Sequence, residues 1–123
     1  MLHDHTDLRV RNLARTRPLY DALLPALGYT RVSADETCVY YHLPREDVDF
    51  FGITADENHR PNGTRIAFAA SSREQVDELA ALVKAAGARS FEPPHICLEY
   101  TEKYYAAFFE DADGNKLEIC NRG

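Results

Sequence analysis

The sequence predicts an α+β fold: two βαβββ modules whose eight strands form one curled mixed sheet around a cleft, with the helices outside. Three observations carry this expectation. The chain repeats its plan at an offset of about sixty residues, the strand, helix and glycine of the first half returning in the second. Each half holds one stretch with helical apolar spacing, and its other apolar stretches alternate with period two. A polar segment over residues 55–63, containing Pro61 and Gly63, separates the halves. Module one is therefore set at residues 1–57 and module two at 62–123 of a single domain.

Taken in order, residues 5–10 open as a strand and correspond to 65–70. Asn12 corresponds to Ser72 and Gly28 to Gly87, and both glycines fall just past a helix, where a left-handed residue ends the last turn most easily. The first helix carries Leu19, Tyr20, Leu23, Leu24 and Leu27 on one side. A proline in its interior is costly, so its start is set near Thr16, which leaves Pro18 in the first turn, while Pro25 loosens the last. Strands follow over residues 29–32, 37–43 and 48–54. The second helix opens at Ser72 and Gln75, or Ser71 and Glu74, both with capping-box spacing, and carries Val76, Leu79, Ala80 and Val83 as its apolar stripe. Pro93 and Pro94 make the next stretch loop-like, ahead of a short strand over 96–98. The last two strands, 104–109 and 116–120, are joined by an Asp113-Gly114 turn.

Twenty acidic residues against fourteen basic ones give a net charge of −6, which argues against a nucleic-acid or anionic-membrane surface. No apolar run is long enough to span a bilayer, and the N-terminus lacks a secretory pattern. Cys38, Cys97 and Cys120 are odd in number and without CxxC spacing, which suits reduced thiols in a cytoplasmic protein.

Strand alternation selects the side chains that face away from the helices. Thr6, Leu8 and Val10 belong under the first helix, so His5, Asp7 and Arg9 face the cleft. Ile66 and Phe68 send Arg65, Ala67 and Ala69 the same way, and Leu117 and Ile119 do so for Lys116, Glu118 and Cys120. Polar groups on a covered strand face are expensive unless paired or used.

The run His5-Thr6-Asp7-Leu8-Arg9-Val10-Arg11-Asn12-Leu13, the helix Leu19-Tyr20-Asp21-Ala22-Leu23-Leu24 leading to Leu27-Gly28-Tyr29, and Arg65-Ile66-Ala67-Phe68 resemble the vicinal oxygen chelate superfamily. So do Tyr104-Tyr105-Ala106-Ala107-Phe108 and, most specifically, Asp111-Ala112-Asp113-Gly114-Asn115-Lys116-Leu117-Glu118. That superfamily contains glyoxalase I, bleomycin resistance proteins and extradiol dioxygenases, and the resemblance covers nearly the whole chain. It implies paired βαβββ modules, a cleft that binds a divalent metal ion in enzyme members, and a homodimer, sometimes with modules exchanged.

Carried over, His5 and Glu118 match metal-ligand positions on the first and last strands. The fifth-strand histidine position is Arg65, and the fourth-strand position falls near Phe51. Neither is a ligand, because a guanidinium keeps its proton and has no lone pair to give. Asp7, His42 and His59 are other donors, but none stands at a matching position. Since a catalytic site needs about three protein ligands, the simplest expectation is no cofactor, with Arg65 held by Glu118 as a fixed positive charge where the ion would sit. The alternative is zinc, nickel, manganese or iron bound by His5 and Glu118.

Two functions follow from the resemblance. One is a small-molecule lyase, isomerase or dioxygenase relative of unnamed substrate, with His5 as general base, Arg65 stabilising developing negative charge and Glu118 orienting it. Asp7, Arg9, Phe51, Tyr104 and Tyr105 then contact the substrate. The other is a metal-free protein that binds or sequesters a small molecule or drug, with Phe50, Phe51, Tyr104, Tyr105 and Phe108 as aromatic walls.

Overall fold

The protein is described here as a computed structural model covering residues 4–45 and 50–123. Strand β1 (His5–Val10) leads through the cap Asn12 into helix α1 (Leu13–Ala26), followed by β2 (Arg31–Ala34), β3 (Cys38–His42) and β4 (Phe50–Ala55). The same order returns as β5 (Arg65–Ala69), α2 (Arg73–Ala85), β6 (Arg89–Ile96), β7 (Tyr105–Glu110) and β8 (Lys116–Asn121). The chain divides into two compact units, Met1–Arg60 and Pro61–Gly123. Each holds a four-stranded mixed sheet, ordered β1-β4-β3-β2 in the first and β5-β8-β7-β6 in the second, so the α+β plan of two βαβββ modules is the observed one. In each, the first and last strands pair in parallel and the hairpins antiparallel.

Both helices start and stop where side-chain chemistry permits. The Asn12 side chain accepts from the Arg15 N–H, and Ser72 accepts from Gln75, satisfying donors that a first turn leaves orphaned. Gln75 reaches back to the N–H and hydroxyl of Ser71, one residue outside the cap. Gly28 and Gly87 follow the helices with φ of 105° and 99°, values that a side chain would strain.

The first helix begins at Leu13 and not near Thr16, so Pro18 lies inside it. A proline there costs roughly 3 kcal/mol. Leu19, Tyr20, Leu23 and Leu24 are all nearly fully buried, and at roughly 1.5–3 kcal/mol per buried side chain that burial outweighs the local penalty. Strand β2 starts two residues later than the alternation suggests, and the described part of β4 begins at Phe50; Val48 and Asp49 lie outside the described residues. The largest departure is β6, a strand over Arg89–Ile96 where the sequence suggests a loop and a short strand over 96–98. Pro93 and Pro94 are tolerated because β6 is an edge strand whose register against β7 shifts on either side of Glu92.

Helix α1 packs on β3 and β4, and α2 on β6, β7 and β8. Under α1 lie Val10, Val39, Tyr41, Phe51 and Ile53; under α2 lie Ala107, Phe109, Leu117 and Ile119. Two phenols anchor the helices to the sheets: Tyr41 donates to Asp21, and Tyr105 donates to Asp77 while the Arg73 guanidinium lies over its ring. Each unit thus packs its helix on one sheet face, and the other face carries no helix.

Candidate functional site

On the helix-free face of the first unit, strand register sets His5 beside Phe50, Asp7 beside Gly52 and Arg9 beside Thr54, with His42, Tyr40 and Cys38 completing the three rows. His5 stacks on Phe50 with centroids 4.5 Å apart and planes 9° from parallel. Tyr40 meets Phe50 edge-on at 5.5 Å and His42 tilts against it at 5.4 Å. The four rings make a continuous, half-exposed aromatic surface. Gly52 permits it: a Cβ there would lie 3.0 Å from Cδ1 of Tyr40, so the phenol ring lies across the glycine.

Around these rings the polar groups are already engaged. The Thr54 hydroxyl donates to Asp7 Oδ1 at 2.8 Å, and an Arg9 nitrogen lies 3.9 Å from the other Asp7 oxygen. His5 Nδ1 is 2.8 Å from the Asp4 carboxylate. Burial, then the charge of Arg31, holds the His42 imidazole below its ordinary pKa, favouring the neutral ring. Hydrogen bonds from Thr37, Thr54 and Tyr40 lower the pKa of the Cys38 thiol.

The second unit arranges its helix-free face differently. Arg65 pairs with Lys116 and Ala67 with Glu118 across β5 and β8, while β7 sets Phe108 opposite Glu118 and Ala106 opposite Cys120. The Arg65 guanidinium lies over the Phe108 ring, 4.9 Å from its centroid. Glu118 is only 4% exposed, and its carboxylate accepts the Tyr104 hydroxyl at 2.5 Å. Burial pushes the Tyr104 phenol well above its ordinary pKa, and its hydrogen bonds with Cys120 and Glu118 add to the rise. Tyr104, Cys97, Ala106, Phe108 and Cys120 form one buried cluster around that carboxylate.

Three sequence expectations change. Glu118 does not hold Arg65: among the described residues they form no ion pair, because Tyr104 occupies the carboxylate and the guanidinium stacks on Phe108. Phe51 is buried on the helix side of its sheet, its ring 5.9 Å from that of Tyr20, so it is core and not a substrate wall. Tyr105 likewise turns toward α2, through Asp77. The fourth-strand position expected near Phe51 is Gly52, since Asp7 pairs with Gly52 as Ala67 pairs with Glu118. His5, Asp7, Arg9, Arg65, Tyr104 and Glu118 do lie on the helix-free faces of their own units. Sequence reasoning left out Tyr40 and Gly52, although Cys38, Tyr40 and His42 alternate along one strand. His59 lies off that face, lining a cavity of about 550 Å³ with Arg11, Glu57, Asn58 and Arg60.

A sequence model of the Glyoxalase/Bleomycin resistance protein/Dioxygenase superfamily matches residues 3–119. The chain belongs to this superfamily. Similar solved structures include a glyoxalase/bleomycin resistance protein from Albidiferax ferrireducens T118, 33% identical over the full length of both chains with a TM-score of 0.82. A glyoxalase-related enzyme from Fulvimarina pelagi is 16% identical over 98% of this chain and 88% of its own, with a TM-score of 0.76. The fosfomycin resistance protein FosX from Mesorhizobium loti is 19% identical over 98% of this chain and 91% of its own, with a TM-score of 0.68. These last two likenesses speak for the fold alone. No curated protein matches.

Members of the superfamily often hold a divalent metal ion, and of the positions where the resemblance places donors this chain has two that can coordinate and two that cannot. Of the two donor positions in each unit, the first unit keeps His5 but has Gly52, covered by a ring, at the other. The second keeps Glu118, engaged by Tyr104, but has the non-coordinating Arg65 at the other. Among the described residues no group of three or more His, Cys, Asp or Glu side chains is placed to hold a metal ion. Also among them, no helix is long and apolar enough to cross a membrane.

Proposed function

We propose that this superfamily member binds a small organic molecule through its aromatic sheet faces, without a resident metal ion. One observation carries the reading: in the first unit the Tyr40 ring lies across Gly52, so an aromatic surface occupies the place of a donor. Stacked and edge-on rings offer a planar ligand about 0.5–1.5 kcal/mol per ring pair beyond the area they bury. His5, Phe50, Tyr40 and His42 present such edges and faces together.

A second reading is a small-molecule lyase, isomerase or dioxygenase relative, favoured by the nearly buried Glu118 and the phenol that donates to it. A carboxylate and a phenol in one dry cluster are suited to holding or passing a proton.

The test is thermal melting with a panel of neutral planar aromatics, each paired with its saturated analogue, all in chelator. A ligand at a hundred times its Kd adds about 2.7 kcal/mol, so a bound aromatic raises the melting temperature by several degrees. Gly52→Val, which pushes the Tyr40 ring aside, is expected to abolish the shift while the circular dichroism spectrum stays unchanged. Shifts that require an added divalent cation, or none across the panel, overturn the reading.

A further inference from the structure

We propose that Arg65 and Lys116 form an anion-binding pair that takes a carboxylate or phosphate group. The two residues are direct neighbours in the register of β5 and β8, and both point away from α2, because the residues that follow them, Ile66 and Leu117, face it. Like charges set opposite each other in a sheet destabilise it, and a pair of this kind is ordinarily relieved by a nearby carboxylate. Here, among the described residues, no carboxylate lies within ion-pairing distance of either.

Three acidic residues share the face, Glu118, Glu110 and Glu92, the last opposite Phe108 on β6, and the first two are hydrogen-bonded elsewhere. Glu118 accepts the Tyr104 hydroxyl, and Glu110, opposite Lys116 on β7, accepts the Ser90 hydroxyl at 3.2 Å. Among the described residues neither Arg65 nor Lys116 makes an ion pair. The Phe108 ring fixes the guanidinium from one side without consuming its N–H donors. Ala67 and Ala69, the next residues of β5 on that face, are small and exposed, which leaves room above the strand. A forked donor beside a point charge matches the oxygens of a carboxylate or phosphate, which accept two parallel hydrogen bonds from arginine. In a chain of net charge −6, such a pair also discriminates by sign.

The test is titration with inorganic phosphate and with sodium acetate at constant ionic strength, read by the NMR signal of the Arg65 Nε–H and by melting temperature. Saturable binding of at least one anion is expected, with chloride at the same ionic strength without effect. Arg65→Gln is expected to weaken binding tenfold or more, Lys116→Gln several-fold, and Lys84→Gln, on α2, not at all. Phosphate against acetate tells which oxygen acid the pair prefers. Lys116→Gln is also expected to raise the melting temperature of the anion-free protein at low salt, a gain that disappears on adding the preferred anion. A merely structural lysine does not give that crossover. Equal anion binding by the Arg65→Gln/Lys116→Gln double variant, or no saturable binding of either anion to the wild type, overturns the inference. The neutral aromatics above report on the ring surface separately, so either result can fail while the other holds.

Discussion

Asp111→Ala is expected to destabilise the protein by about 3 kcal/mol, the loss that follows when several donors to one buried carboxylate go unsatisfied. The Asp111 side chain is completely buried at the turn between β7 and β8. One of its oxygens accepts the N–H groups of Asp113 at 2.9 Å, Gly114 at 3.1 Å and Asn115 at 3.0 Å. The other accepts the Asn115 side-chain amide at 2.8 Å. Gly114, with φ at 97°, completes a turn that backbone bonds from Asp111 N–H to Asn115 and from Gly114 N–H to Asp111 also close. Lys116 and Glu118 leave that turn directly on β8, so the substitution also loosens the anion pair. Urea denaturation measures the loss. Asp111→Asn, which keeps one accepting oxygen but sets an amide against that of Asn115, is expected to lose about half as much. A change below about 1 kcal/mol for the alanine variant contradicts the role given to this carboxylate.

Tyr104→Phe is the second large effect, expected at about 2 kcal/mol, because it leaves a nearly buried carboxylate without its donor. Glu118→Gln costs less, since an amide oxygen still accepts the phenol. The pH dependence gives the sharper check. The folded-state pKa of Tyr104 is raised, so its stabilising contribution is complete below the ordinary phenol value of about 10 and is lost as pH rises above it. Tyr41, raised by burial and by Asp21, follows the same sign. Wild-type stability therefore falls above about pH 10, and the gap between wild type and Tyr104→Phe narrows there. Urea midpoints at pH 8, 10 and 11 report this. A gap that stays constant with pH contradicts the raised pKa of the buried Tyr104 phenol.

Alternation was enough to read which side chains of β1, β5 and β8 face away from the helices, because one face of each strand is apolar and burial enforces the register. It was not enough for Phe51 and Tyr105. Both stand in runs where neighbouring residues are also apolar or aromatic, Phe50-Phe51 and Tyr104-Tyr105, and a shift of one residue moves a side chain to the other face. The proline penalties at Pro18 and at Pro93-Pro94 were sound locally and were overridden, by burial of the α1 stripe in one case and an edge position in the other. The bond from Tyr104 to Glu118 and the ring of Tyr40 over Gly52 depend on cross-strand pairing, which no single strand contains. The run from Asp111 to Glu118, the most specific resemblance, is the turn whose chemistry positions the site on β8.

The most direct measurement is the metal content of the protein purified without chelator, taken together with aromatic-ligand binding before and after chelation. The expected result is far less than one equivalent of zinc, nickel, manganese or iron, and ligand binding that chelation leaves unchanged. Near-stoichiometric metal, with binding lost on its removal, contradicts the central claim.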